Sequence, residues 1–175
     1  NRHYPKSIIH NMLRLGYPKD RLFPVNPKYG TVFGLPCYPS LDRLPQPAEL
    51  VVLVTRNETV PALLEQAAQN GAKAAVVLAD GFAEQGEEGR RLQQRIAEQA
   101  RSAGIALLGP NTLGFMVPSN GLGVWAGGDV PGEIRPGGIA LGFQSSGMLN
   151  LVVGLVGERH IGLRAAVSVG NEAVL

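Results

Sequence analysis

Glu49-Leu50-Val51-Val52-Leu53-Val54 is the stretch on which the fold class turns. It is β-branched and unbroken by polar residues, as a strand buried on both faces of a parallel sheet is, so it is expected at the centre of one. Outward from it the chain alternates helix and strand signals. Thr59 precedes Val60, Leu63, Leu64, Ala67 and Ala68 at helical spacing, Pro61 falls in the first turn, and Gly71 closes the segment. Ala74-Ala75-Val76-Val77-Leu78-Ala79 reads as the next strand. A helix with Leu92, Ile96, Ala100 and Ala103 on one face follows, supported by Glu87 and Arg91 at i, i+4 and stopped by Gly104. Ile105-Ala106-Leu107-Leu108 is a further strand. Such alternation with short turns implies an α/β fold, doubly wound around a mostly parallel sheet covered on both faces.

The flanks extend the pattern. Residues 6–15 carry Ile8, Ile9, Met12, Leu13 and Leu15 and read as an amphipathic helix ended by Gly16, and Arg21–Asn26 reads as a strand. Pro118–Gly137, rich in Gly and Pro, reads as a crossing between two domains. A strand at 138–143, a helix over about 146–157 and a strand near Leu163–Val169 follow. Both ends read as cut, so the chain is expected to be a fragment.

The chain has 175 residues, 45% of them hydrophobic, enough for one full domain and part of a second. The net charge of +2 is unevenly spread. Residues 1–43 hold seven Lys/Arg against two Asp/Glu, which suits an anionic small ligand. They lack the Lys/Arg runs and interleaved aromatics of nucleic-acid surfaces, so no nucleic-acid partner is expected. The single Cys37 permits no internal disulfide and fits a reducing cytoplasm, and no Cys or His spacing suits a metal. With no 18-residue apolar run and no signal-like segment, neither membrane association nor secretion is expected.

The candidate chemistry sits where strands end. At Val25-Asn26-Pro27-Lys28 there is a lysine and no acid until Asp42, a choice that favours a phosphorylated adenosine ribose, as in NADP or coenzyme A, over NAD. A solvated lysine after a proline turn is the alternative. Val54-Thr55-Arg56-Asn57 lies at a strand mouth, where Thr55 either meets a ligand or, like Asn57, caps the next helix. Asp80-Gly81-Phe82-Ala83-Glu84 offers a backbone that a ligand can approach at Gly81 and an acceptor in Glu84, which could equally serve only as a helix-dipole partner. Gly109-Pro110-Asn111-Thr112-Leu113-Gly114 reads as a phosphate turn. Ser145-Ser146-Gly147 opens an apolar helix and forms a second anion site. A Ser nucleophile has little support, since G-x-S-x-G is absent, and His3, His10 and His160 are scattered.

Taken in order, Pro24-Val25-Asn26-Pro27-Lys28-Tyr29, Cys37-Tyr38-Pro39-Ser40-Leu41, Gly81-Phe82-x-Glu84, Gly109–Gly114, Gln144-Ser145-Ser146-Gly147 and Val167-Ser168-Val169-Gly170-Asn171 resemble the nucleoside-diphosphate-forming acyl-CoA synthetases, relatives of the succinyl-CoA synthetase α subunit. The resemblance spans essentially the whole chain. It implies a Rossmann-like CoA-binding domain over 1–118 that lacks its first strand, a linker over 119–137, and over 138–175 the beginning of a flavodoxin-like ligase domain. It further implies that Asn26, Pro27 and Lys28 hold CoA phosphates, and that Val54, Thr55, Gly81, Phe82, Glu84 and Asn111 line the CoA path. Thr112 and Ser145-Ser146-Gly147 would meet the transferring phosphate, from two helix N-termini.

The implied reaction makes an acyl-CoA thioester from a carboxylic acid and CoA through an acyl phosphate and a phosphohistidine, with ATP or GTP and Mg held by regions outside this chain. An ATP-grasp subunit or domain, or self-association, would complete it. Some positions depart from the family pattern. Thr112 stands for the usual cysteine, Phe143-Gln144-Ser145-Ser146 varies Ser-Gln-Ser-Gly, and no His matches the phosphorylated one, so this segment alone is expected to be inactive. A CoA-binding regulatory module is the alternative function, and an NADP oxidoreductase the third.

Overall fold

The structure, a computed structural model, describes residues 4–130 and 134–174. His3 and, in the expected crossing, Pro131 and Gly132 lie outside the described residues. In chain order the helices are α1 (Tyr4–Arg14), α2 (Val60–Gln69), α3 (Glu87–Ala103) and α4 (Ser146–Glu158). The strands are β1 (Thr31–Val32), β2 (Leu35–Pro36), β3 (Leu50–Leu53), β4 (Ala74–Val77), β5 (Ala106–Leu108), β6 (Gly114–Val117), β7 (Leu122–Trp125), β8 (Pro136–Phe143) and β9 (Leu163–Ser168). They fall into two compact units, Leu22–Thr112 with Asn171–Leu175, and Asn1–Arg21 with Leu113–Gly170.

The first of these units is Rossmann-like. Strands β3, β4 and β5 run parallel in that order, with Leu50 opposite Ala74 and Ala74 opposite Ala106. Because each crossover is right-handed and the strand order advances in one direction, α2 and α3 are delivered to the same face. Val51, Leu53, Ala75 and Val77 on that face pack with Val60, Leu64 and Ala67 of α2 and with Ile96 and Ala100 of α3. β4 is the middle strand, so the expectation that the Val51–Leu53 run is central is corrected within this sheet. Its alternating half-buried and buried residues agree with an outer place. Arg21–Asn26 is not a strand either. The prolines at 24 and 27 punctuate it, and only Val25 makes a bridge, parallel to Tyr38.

The second unit is a mixed sheet in the order β7-β6-β9-β8. β6 is antiparallel to both β7 and β9, whereas β8 and β9 are parallel and joined through α4, as the strand-helix-strand reading of 138–169 expects. The expected 119–137 linker contains β7 with its fully buried Trp125. By their contacts, α1 and residues 113–118 group with this sheet. Met116, Trp125, Leu149, Val153, Leu163 and Ala166 form the core. α4 buries Leu149, Val153 and Val156 but leaves Met148, Leu151 and Leu155 exposed by 52%, 65% and 53%. β8 is an edge strand whose first five residues are exposed.

A buried asparagine joins α1 to this sheet. Asn11, with no exposed surface, donates through Nδ2 to the carbonyls of Trp125 (3.1 Å) and Gly128 (2.9 Å) and accepts from the Val130 amide (3.1 Å). Three backbone groups of an irregular segment are thereby satisfied by one side chain. Asn11→Ala is expected to cost about 2–4 kcal/mol, because it strands those groups away from water. Urea unfolding followed by the fluorescence of the single Trp125 reads that loss directly.

Candidate functional site

In open α/β sheets ligands bind outside the carboxyl ends of the strands. Here those ends carry Val54–Asn57 after β3, Leu78–Gly86 after β4 and Gly109–Thr112 after β5. The three loops are tied by side chains that come from far apart in sequence. Glu84 Oε1 accepts from the backbone amides of Gly81 (2.6 Å) and Phe82 (3.1 Å), while its Oε2 accepts from Asn171 Nδ2 (2.5 Å). Asn57 Nδ2 donates to the Gly81 carbonyl (2.7 Å) and so joins the β3 loop to the β4 loop. Asn111 Nδ2 donates to Asn171 Oδ1 (3.3 Å), and the Asn171 amide donates to the Pro110 carbonyl (2.9 Å).

Gly81 is required at its position for two reasons. Its φ is +88°, and a Cβ there would lie 2.5 Å from Asn57 Nδ2. On α3 a Cβ at Gly89 would lie 1.8 Å from the Phe82 carbonyl oxygen, so the β4 loop can approach the helix only over a bare backbone.

Glu84 is an internal brace as well as an exposed acid. Burial pushes its carboxyl up, but the Asn171 side chain and the amides of Phe82, Glu84 itself and Gly81 outweigh that and hold it below the ordinary carboxylate value. The Phe82 side chain is fully buried in the hydrophobic core, and its backbone lies at the strand mouth.

Thr55 is half-buried at the end of β3. Its hydroxyl lies 2.6 Å from that of Thr59, whose own proton goes to the Arg56 carbonyl (2.8 Å), so Thr55 is the donor in the pair and keeps its lone pairs for an incoming group. Neither Thr55 nor Asn57 caps α2, since the residue before that helix is Thr59 and its side chain makes no capping bond.

Asn26, Pro27 and Lys28 occupy a loop that is stapled to residues 37 and 38. Asn26 donates from its amide to the Tyr38 carbonyl (2.8 Å) and accepts the Lys28 amide on Oδ1 (3.0 Å), and Tyr38 donates to the Pro24 carbonyl (2.9 Å). Phe23 and Tyr38 meet edge to face at 6.0 Å. Two motifs that are eleven residues apart in sequence thus form one structure, with Lys28 exposed on it.

The reading of Gly109–Gly114 as a helix N-terminus is corrected. The loop leads into β6, and its polar groups are largely engaged within the protein. The Asn111 amide donates to the Ala79 carbonyl (2.8 Å), the Gly109 carbonyl accepts from Ala173 (3.2 Å), and Thr112 is only 2% exposed. Asn111 adopts φ +57°, a left-handed conformation that asparagine tolerates.

In the other unit, Ser145-Ser146-Gly147 stand at the start of a helix, as expected. Ser145 is the N-cap of the 13-residue α4 and its Oγ accepts from the Met148 amide (3.4 Å). Ser146 Oγ lies 2.6 Å from Ser168 Oγ. A Cβ on Gly147 would meet only Ser145 Oγ, 4.0 Å away, so the first turn is open above the backbone.

Three partners escaped sequence reading as site residues, namely Asn57, Gln93 and Asn171. Gln93 on α3 accepts from the Ala83 amide (3.3 Å) and from Asn171 Nδ2 (3.1 Å) and donates to the Asn171 carbonyl (3.4 Å). The signal that could have found it is its place between buried Gly89 and Ala97 at i−4 and i+4, where a polar side chain must be held by something. Among the described residues, no group of three or more His, Cys, Asp or Glu could hold a metal, and no helix is long and apolar enough to cross a membrane.

Comparison with known proteins places this geometry. The sequence model of one family, the CoA binding domain, matches residues 2–118. The chain belongs to that family. The CoA-binding chain is 34% identical over 171 residues to the α subunit of acetate–CoA ligase [ADP-forming] I of Pyrococcus furiosus, covering 95% of this chain and 36% of that protein. It is also 34% identical over 183 residues to acetate–CoA ligase [ADP-forming] of Methanocaldococcus jannaschii, covering 97% and 25%. Among solved structures it superposes with a TM-score of 0.87 and 29% identity on the dinucleotide forming acetyl-coenzyme A synthetase 1 of Ca. Korarchaeum cryptofilum in its apo form, covering 97% of this chain and 36% of that one. The chain therefore spans between a quarter and about a third of these relatives.

Two outcomes follow from the placement of Glu84 and Phe82. A carboxyl whose pKa is depressed by folding contributes stability that is present above its ordinary value, 4.5, and lost as the pH falls through its lower folded value. Glu84→Gln is therefore expected to be less stable than the parent at neutral pH, with the two converging as the pH falls below 4.5 in parallel urea titrations. Phe82→Ala is expected to cost about 3–5 kcal/mol in the same assay, as a core truncation does.

Proposed function

We propose that this chain is the CoA-handling part of an acid–thiol ligase that forms an acyl-CoA from a carboxylic acid while a nucleoside triphosphate is cleaved to the diphosphate and phosphate. The observation that carries the reading is the CoA binding domain match over 2–118, in a chain aligned along 95% of its length with an acetate–CoA ligase subunit. Relatives with such names support a ligase over the NADP oxidoreductase, and Lys28 fits either ligand equally.

In this reading Lys28 pairs with a phosphate of CoA while the Asn26 turn fixes the backbone around it. The pantetheine arm runs along the carboxyl ends of β3 to β5, where the Thr55 hydroxyl accepts a hydrogen bond from it. The thiolate sulfur attacks the carbonyl of an acyl phosphate, the C–S bond forms, the C–O bond to phosphate breaks, and phosphate leaves. In the other unit, the amides of Ser146 and Gly147 at the start of α4, with the Ser145 hydroxyl, suit a phosphate group. The acyl phosphate is supplied by transfer of the terminal phosphoryl group of the triphosphate nucleotide, through a histidine, to the carboxylate of the acid, with release of the diphosphate; that histidine, the Mg and an ATP-grasp element belong elsewhere in the assembly, in the cytoplasm.

Calorimetry of the full-length protein with CoA and with dephospho-CoA tests the reading. CoA is expected to bind, and Lys28→Ala to weaken it roughly fivefold to tenfold, about 1–1.4 kcal/mol, while leaving dephospho-CoA unchanged. Absence of CoA binding would remove the function proposed, whereas equal affinity for the two ligands would remove only the role of Lys28.

A further inference from the structure

We infer that Asn171 is a positioning residue that holds the three strand-end loops in their CoA-binding arrangement, a role that rests on the CoA reading above. Each of its polar groups is engaged. Its Nδ2 donates to Glu84 Oε2 (2.5 Å) and to Gln93 Oε1 (3.1 Å), and its Oδ1 accepts from Asn111 Nδ2 (3.3 Å). Its backbone amide donates to Pro110 (2.9 Å) and its carbonyl accepts from Gln93 Nε2 (3.4 Å). One residue thus contacts the β4 loop, α3 and the β5 loop. Asn57 adds the β3 loop through Gly81, whose amide is itself held by Glu84.

The chemistry demands an amide at this position. A carboxylate oxygen braced by two backbone N–H groups needs a donor on its other oxygen, and Asn111 nearby needs an acceptor; only a group with both functions serves them together. An aspartate of the same size would turn an acceptor toward Glu84 and set two carboxylates against each other. Aliphatic truncation would leave Glu84, Gln93 and Asn111 to find water. In either case the Gly81-Phe82 backbone loses the anchor that fixes where the strand mouth lies, although the hydrophobic core under it is untouched. Asn171 follows β9 by only three residues, so the latch on these loops is delivered by the return of the chain from another sheet.

The test compares the full-length parent, Asn171→Ala, Asn171→Asp and Asn11→Ala by calorimetry with CoA, together with amide hydrogen exchange. Asn171→Ala is expected to weaken CoA about tenfold and Asn171→Asp more, with faster exchange at Gly81 and Phe82 and unchanged exchange in β4. Asn11→Ala, a destabilised control in the other unit, is expected to bind CoA like the parent. If the parent binds CoA and both Asn171 variants bind it as tightly, the positioning role is overturned. A general loss of protection across β4 in those variants would likewise overturn it, in favour of a fold-wide role. Failure of the parent to bind CoA would instead refute the CoA reading on which the inference stands.

Discussion

Everything at the strand mouths depends on one carboxylate. Loops that follow parallel strands leave backbone amides without sheet partners, and such groups must be satisfied if the loop is to hold one shape. Glu84 satisfies two of them, at Gly81 and Phe82, from a distance of only two and three residues, and Asn171 keeps the carboxylate in place. The bare backbone of Gly89 lets α3 accept the Phe82 carbonyl at a separation that no side chain would permit. The brace therefore works only because three unlike features, an acid, an amide and two glycines, coincide in space.

That arrangement divides the labour between side chains and backbone. Phe82 and Thr112 face inward and hold the loops down, whereas Thr55 is half-buried and its hydroxyl keeps acceptor capacity at the mouth. Rigid loops on a packed sheet suit a long flexible ligand, because the ordering of the protein is complete before the ligand arrives and does not subtract from its affinity. The serine turn at the start of α4 is built differently, with an open first turn and a long apolar helix behind it. It offers partial positive charge rather than a shaped surface.

Much of the fold was legible because it is local. The spacing in Val60–Gln69 and Glu87–Ala103 and the apolar run at 74–77 specify their elements within one or two turns of chain, and β8, α4 and β9 repeat the same logic. β6 and β7 were hidden by composition. Gly114, Gly121 and Gly123 weaken any strand signal, and what makes these segments strands is pairing with each other and with β9 some fifty residues away. The site was legible as positions but less so as roles. Strand-end placement put Thr55, Gly81, Glu84 and Asn111 where the structure has them, yet the contact from Glu84 to Asn171 spans 87 residues, and no local pattern encodes it. That the Phe82 side chain is buried was not legible, because a residue beside a glycine turn looks exposed, while burial is decided by which way the chain leaves β4.

The exposed apolar stripe of α4 and the uncovered edge strand β8 bear on how this polypeptide behaves in a test tube. Met148, Leu151 and Leu155 stand in water beside a sheet whose outermost strand has backbone groups able to pair with another chain. Pro136 removes one donor at the beginning of that edge, but the rest of it, Gly137 to Phe143, carries no charged side chain to repel a neighbour. An apolar stripe beside an unpaired strand edge is the kind of surface through which one polypeptide associates with another, so conditions that cover it favour dispersion of the 175-residue chain.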